Sequence, residues 1–140
     1  RPGGGEPQAG RYDLDELLPQ VDVLSLHCPL TPATQGLIGA RELARMEPAA
    51  LLINTARGAL VDSQALADAL RAGRLGGAAI DVLPQEPPVD GNPLLAADIP
   101  NLIVTPHVAW AAREARQRCL DEMAANVEDF ARGGHRGRVV

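Results

Sequence analysis

Lysine is absent from the 140 residues, and all 13 basic side chains are arginine. This reads as a coding bias rather than a functional signal. Aromatic residues make up 2% of the chain, so any core must be built from Leu, Ile, Val and Ala. Positive charge is also in short supply: 13 basic residues face 18 acidic ones, for a net charge of -5. That balance excludes the basic face on which nucleic-acid binding rests. No apolar run approaches the ~20 residues of a membrane span, and no signal peptide is visible. Cys28 and Cys119 are the two cysteines. They are too few and too far apart for a metal-ligand pattern, so no metal is expected, and two isolated thiols suit a reducing cytoplasm. A G-x-G-x-x-G phosphate loop is missing as well.

Hydrophobic residues make up 46% of the chain and charged residues 22%, a composition that favours a globular domain over disorder. Its length is that of one ordinary domain. The chain opens on Arg1, and residues 1–12, which include Arg1-Pro2-Gly3-Gly4-Gly5, read as an exposed connection. The chain is therefore expected to begin inside a longer protein. Residues 13–132 are expected to form the folded domain, and residues 133–140 a tail.

Apolar runs at residues 21–26, 50–54, 77–82 and 102–104 read as strands. The first two are apolar at almost every position, which predicts strands covered on both faces. Asp13, with Glu16 three residues on, predicts a capping box before a short helix. Thr31-Pro32 opens a helical turn, and residues 40–46 continue as a second short helix. Asp62 caps a helix over residues 63–72, which Gly73 ends. Residues 84–93 are a proline-rich loop. A long helix runs from Ala111 to about Ala131 and is stopped by Gly133-Gly134. Strands alternating with helices imply a parallel sheet. The expected class is α/β, a partial Rossmann-type doubly wound parallel sheet with a long C-terminal helix. Such a fold carries its glycine-rich loop after its first strand, so the missing loop fits a chain that starts downstream of it.

Ligands of open α/β sheets sit beyond the carboxyl ends of the strands. At those ends lie His27-Cys28, Thr55-Ala56-Arg57-Gly58, Asp81 with Glu86 beyond it, and Thr105-Pro106-His107. An arginine, two acids and a histidine thus converge on one rim. They suit the reduction of a 2-oxo acid. Arg57 offers a planar fork for a carboxylate and polarises the neighbouring carbonyl. His107 offers an imidazole that can exchange a proton with the carbonyl oxygen. Glu86 orients the imidazole and favours its charged form, and hydride has to come from a cofactor. Taken singly, each has a blander reading: a loop cation, a solvated acid, a satisfied structural histidine. The shared position carries the argument. His27 reads as structural, His135 as solvated, and Cys28 as a packing residue rather than a nucleophile.

Four blocks go further: VDVLSLHCPLT from Val21, INTARGALVD from Ile53, AAIDVLPQEP from Ala78 and TPHVAW from Thr105. In type, order and spacing they resemble the D-isomer-specific 2-hydroxyacid dehydrogenases, from about Leu14 to about Phe130. The resemblance implies that Arg57 binds the substrate carboxylate and carbonyl, and that His107, paired with Glu86, is the acid/base. It implies that Cys28, Thr55, Ala56, Arg57, Asp81, His107, Val108, Ala109 and Trp110 line NAD or NADP, with Asp81 near the nicotinamide amide. Related formate dehydrogenases carry Gln at the acid position, because formate oxidation needs no proton transfer. Glu86 therefore speaks for hydroxyacid chemistry. Within the family the chain looks most like the glycerate dehydrogenase and hydroxypyruvate reductase members, which act on hydroxypyruvate or glyoxylate. The resemblance also implies a cytoplasmic homodimer in the full-length enzyme. Two other readings stand beside it: a dinucleotide-sensing module like the family-related corepressors, and an inactive remnant.

Overall fold

The computed structural model describes residues 11–138, so the readings made for residues 1–10 and 139–140 lie outside the described residues. The chain divides into two compact units, one ending at His107 and one starting at Val108.

In the first unit a short helix α1 (Leu14–Leu17) leads through a 3-10 turn to strand β1 (Val23–Leu26). Helix α2 (Ala40–Leu43), strand β2 (Leu51–Asn54), helix α3 (Ser63–Arg71), strand β3 (Gly77–Ile80) and strand β4 (Leu102–Val104) follow. The sheet order is β1-β2-β3-β4, and every pairing is parallel. All four carboxyl ends therefore fall on one edge, as the alternation of elements requires. The β3–β4 crossover departs from that alternation, since its helical content is the 3-10 turn Pro93–Leu95. Prolines at 84, 87, 88 and 93 leave it no room for a helix.

Helix α3 follows its sequence closely. The Asp62 carboxylate accepts from the backbone N–H groups of Gln64 and Ala65, both at 3.0 Å, which satisfies two otherwise orphaned donors. Leu66, Ala67, Ala69 and Leu70 are buried, and Gln64, Asp68 and Arg71 face outward. Gly73, at φ +62°, ends the helix. Arg71 then grips Asp98 in a two-point pair at 2.8 and 2.9 Å, which ties α3 to the β3–β4 crossover and lowers the Asp98 pKa.

The core is aliphatic. Leu18, Ile38, Leu43, Leu52, Leu60, Leu66 and Leu70 are fully buried, and each such side chain stabilises the fold by roughly 1.5–3 kcal/mol. The expectation of strands covered on both faces is wrong for these residues. Val23 is 49%, Leu51 43% and Ile103 64% exposed, while Leu24, Leu26 and Leu52 on the other face are buried. Helices pack on one face of the sheet in this unit. The other face is open and carries an apolar cavity of about 470 Å³ lined by Leu51, Ile53, Ala79 and Ile103.

Smaller corrections concern the helix starts. Asp13 precedes α1 but makes no side-chain cap bond, because the following helix is a single turn. At residues 31–36 the chain makes turns rather than a helix. There the buried Thr34 hydroxyl accepts from the Thr31 N–H (2.8 Å) and donates to the Pro29 carbonyl (2.7 Å), so Thr31 does not act as the expected helix cap. Strands 1 and 3 are two residues shorter than predicted, and α2 ends at Leu43.

The second unit is built on helix α4 (Arg113–Ala131). Its C-terminus is closed by Gly133 at φ +80°, whose N–H donates to Phe130 O, while Gly134 N–H donates to Asp129 O. The tail then turns back on the helix. Arg136 N–H donates to the Asp129 carboxylate (2.8 Å), and the Arg136 guanidinium meets Glu122 (2.7 Å). Leu120, Met123, Val127 and Phe130 form an exposed apolar stripe at helical spacing. Among the described residues, no helix is long and apolar enough to cross a membrane.

Candidate active site at the strand ends

Buried Asn54 ends β2 and carries a polar side chain into the core. Its amide nitrogen donates to Arg57 O (2.9 Å), and its amide oxygen accepts from Ala56 N–H (3.0 Å). A polar group this buried is costly unless paired, so these two bonds hold the loop 55–57 in one shape. Behind the loop, Gly36 N–H donates to Ala59 O (2.8 Å) and Ile38 N–H to Leu60 O (3.0 Å). Arg57 itself is exposed, and its guanidinium turns back to Ala56 O (2.6 Å).

One strand over, Asp81 follows β3 and is 4% exposed. Its N–H donates to Asn54 O, and its carbonyl accepts from His107 N–H, both at 2.9 Å. The Thr105 hydroxyl donates to the Asp81 carboxylate (2.5 Å). The same His107 N–H also reaches Thr105 O (3.0 Å). These bonds hold His107 at φ +54°, a left-handed conformation that non-glycine residues adopt rarely and that concentrates at functional sites.

His107 Nδ1 lies 2.6 Å from Glu86 Oε2, and Leu83 N–H donates to Glu86 Oε1 at 2.7 Å. Both carboxylate oxygens are thus engaged. The His107 hydrogen bond, then the Leu83 N–H, lower the Glu86 pKa below the ordinary glutamate range. With Nδ1 on Glu86, the ring of His107 is held in one orientation.

The expected residues fall into two cavities on the same rim. Asp81, Glu86, Thr105 and His107 line one of about 450 Å³, with apolar walls from Leu83 and Leu95. Cys28, Ala56 and Arg57 line another of about 530 Å³, together with His27. Thr55 is exposed in the loop between Asn54 and Ala56. His27 is exposed and hydrogen-bonds Ser25 Oγ at 2.8 Å. Val108, Ala109 and Trp110 belong to the second unit, where all three are exposed. Asn54, Leu83 and the Thr105–Asp81 hydrogen bond escaped the sequence reading. A lone Asn closing an apolar strand was the available signal for the first; a backbone donor such as Leu83 N–H leaves none. Among the described residues, no group of three or more His, Cys, Asp or Glu is placed to hold a metal ion.

Comparison with known proteins gives a consistent picture. Residues 5–109 match the family described as D-isomer specific 2-hydroxyacid dehydrogenase, NAD binding domain. A glycerate dehydrogenase of Methylorubrum extorquens is 58% identical over 127 residues, which cover 91% of this chain and 40% of that protein. A hydroxypyruvate reductase of Blautia hydrogenotrophica is 44% identical over 88% of this chain and 38% of its own length. Among solved structures, an NAD-complexed D-isomer specific 2-hydroxyacid dehydrogenase of Lactobacillus delbrueckii superposes with a TM-score of 0.78. It is 33% identical, over 92% of this chain and 42% of that one. The chain thus spans about 40% of the length of the curated relatives it matches.

Proposed function

Since this chain belongs to the D-isomer specific 2-hydroxyacid dehydrogenases, through their NAD binding domain, we propose that the whole protein interconverts 2-oxo acids and D-2-hydroxy acids with NAD(H) or NADP(H). Hydroxypyruvate and glyoxylate are the favoured oxo acids, on the strength of the relatives named glycerate dehydrogenase and hydroxypyruvate reductase. The observation that carries the reading is the His107–Glu86 pair at 2.6 Å. It stands on a left-handed histidine backbone at the carboxyl edge of a parallel sheet.

The residues present fit a nicotinamide cofactor. Asp81 is a buried carboxylate on a cavity wall, suited to accept from a carboxamide. Cys28 and Ala56 give small walls to the neighbouring cavity. When bound, the cofactor supplies or accepts the hydride. The rest falls to side chains. Arg57 clamps the substrate carboxylate by its two-pronged fork and polarises the carbonyl. His107 Nε2 delivers the proton to the carbonyl oxygen in reduction and removes it in oxidation. Glu86 fixes the ring through Nδ1 and compensates the positive charge of the imidazolium.

The whole protein is further assigned to the cytoplasm as a homodimer. The free thiols Cys28 and Cys119 and the apolar stripe of α4 support that assignment. The test is NADH or NADPH oxidation with hydroxypyruvate and glyoxylate, with His107→Gln as the control. Full turnover by that variant sinks the assignment of the proton donor.

A further inference from the structure

Arg57 sits on the β2–β3 crossover, Glu86 on the β3–β4 crossover and His107 after β4, yet a 2-oxo acid has to meet Arg57 and the Glu86–His107 pair at once. Its carboxylate and carbonyl are fixed neighbours, so the distance between clamp and acid matters. Gly58, next to Arg57, is buried against the other loop. A Cβ placed on it would stand 2.0 Å from the Leu83 carbonyl carbon, 2.3 Å from Pro84 N and 2.4 Å from Leu83 O. These are backbone atoms, which cannot rotate out of the way. On its other side Leu83 donates its N–H to Glu86 Oε1 at 2.7 Å. A continuous line therefore runs from Arg57 through Gly58 and Leu83 to Glu86 and His107. The Arg57 end has little slack, because Asn54 holds Ala56 N–H and Arg57 O.

The geometry points to the Gly58–Leu83 contact as the spacer that sets the carboxylate clamp against the acid–base pair, which makes Gly58 a positioning residue for the reaction. The inference rests on the functional reading of Arg57, Glu86 and His107 given above. Gly58→Ala forces the two loops apart and draws Leu83 N–H away from Glu86. A natural control exists: a Cβ on Gly76 would stand 2.5 Å from Ala49 O, a less severe backbone clash at the opposite ends of the strands.

The first arm uses the 140-residue chain, without cofactor or substrate. The ¹³C carboxyl signal of Glu86, assigned with Glu86→Gln, is titrated in the parent, Gly58→Ala and Gly76→Ala. The Glu86 midpoint is expected to rise toward the ordinary glutamate range in Gly58→Ala alone. An unmoved midpoint in folded Gly58→Ala overturns the spacer. Should Gly58→Ala fail to fold, the parent still decides. The backbone N–H signals of Gly58 and Leu83 should follow the Glu86 midpoint and lose that titration in Glu86→Gln, and a flat Gly58 signal overturns the proposal.

The second arm uses the whole protein. Gly58→Ala should lower kcat on a 2-oxo acid by about a hundredfold, the scale of an ångström misplacement. Binding of oxamate, an unreactive carboxylate, should change far less, and Gly76→Ala should keep kcat. Retained kcat in Gly58→Ala, with turnover lowered in Arg57→Lys and lost in His107→Gln, overturns the spacer alone. Turnover kept by those two variants overturns the functional reading instead, and the titration arm still decides the spacer.

Discussion

At the scale of single residues, Arg57, Glu86 and His107 are each proposed to do something that a near-isostere cannot. Arg57→Lys keeps the charge and loses the fork. One charge-assisted hydrogen bond to the substrate carboxylate is worth about 1.5–3 kcal/mol, so kcat/KM of the whole protein on 2-oxo acids should fall by about ten- to a hundredfold. Steady-state kinetics check this, and a near-normal value would remove Arg57 from the clamp. Glu86 makes a prediction about stability. Its pKa is lowered in the folded chain, by His107 first and Leu83 N–H second. A depressed carboxyl stabilises the fold above its unfolded pKa and loses that contribution as pH falls through the folded one. The gap in stability between the parent and Glu86→Gln should therefore be widest near neutrality and should close as pH drops through and below the ordinary glutamate range. Urea melts at a series of pH values test this, and a gap that is constant with pH would mean that the pair does not form. Asn54 belongs to the same scale. Asn54→Leu strands Ala56 N–H and Arg57 O, so it should cost about 1–3 kcal/mol while also loosening the Arg57 loop.

At the scale of elements, the sequence was most legible where one local rule acted alone. Asp62 and Gly73 bracket α3 as their chemistry demands, and Asp62→Ala should cost about 1 kcal/mol, read as a fall in Tm, with Asp62→Asn retaining most of it. The strands were visible as apolar runs and their parallel order followed from alternation. Their covering was not. Val23, Leu51 and Ile103 are as apolar as Leu24 and Leu52, so composition alone could not tell an open face from a packed one. The site divided in the same way. Chain position brought Arg57, Asp81, Glu86 and His107 to one edge. The groups that hold them there include the Leu83 N–H, the Asn54 amide and the left-handed turn at His107, and these depend on a third dimension that periodicity does not carry. The capping box expected at Asp13 failed for a related reason: a one-turn helix offers its cap too little to organise.

At the scale of the molecule, the described residues hold the proposed proton donor and carboxylate clamp, but the sequence has no G-x-G-x-x-G loop and spans about 40% of its curated relatives. Diphosphate binding in this fold uses such a loop at a helix N-terminus, where backbone N–H groups and the helix dipole meet the charge. The 140 residues by themselves are therefore predicted to give no measurable NADH oxidation with hydroxypyruvate or glyoxylate, even when folded. The complementary arm exchanges residues 14–132 into the glycerate dehydrogenase of Methylorubrum extorquens, which is 58% identical over the matching stretch. That host supplies whatever this chain does not, and the exchanged segment brings its own Arg57, Glu86 and His107. Turnover should return in the exchange and disappear again with His107→Gln in the exchanged segment. Robust turnover by the 140 residues alone would mean that diphosphate anchoring is not what they lack. A folded but inactive exchange would mean that the rim described here does not assemble a working clamp and acid, however similar its residues.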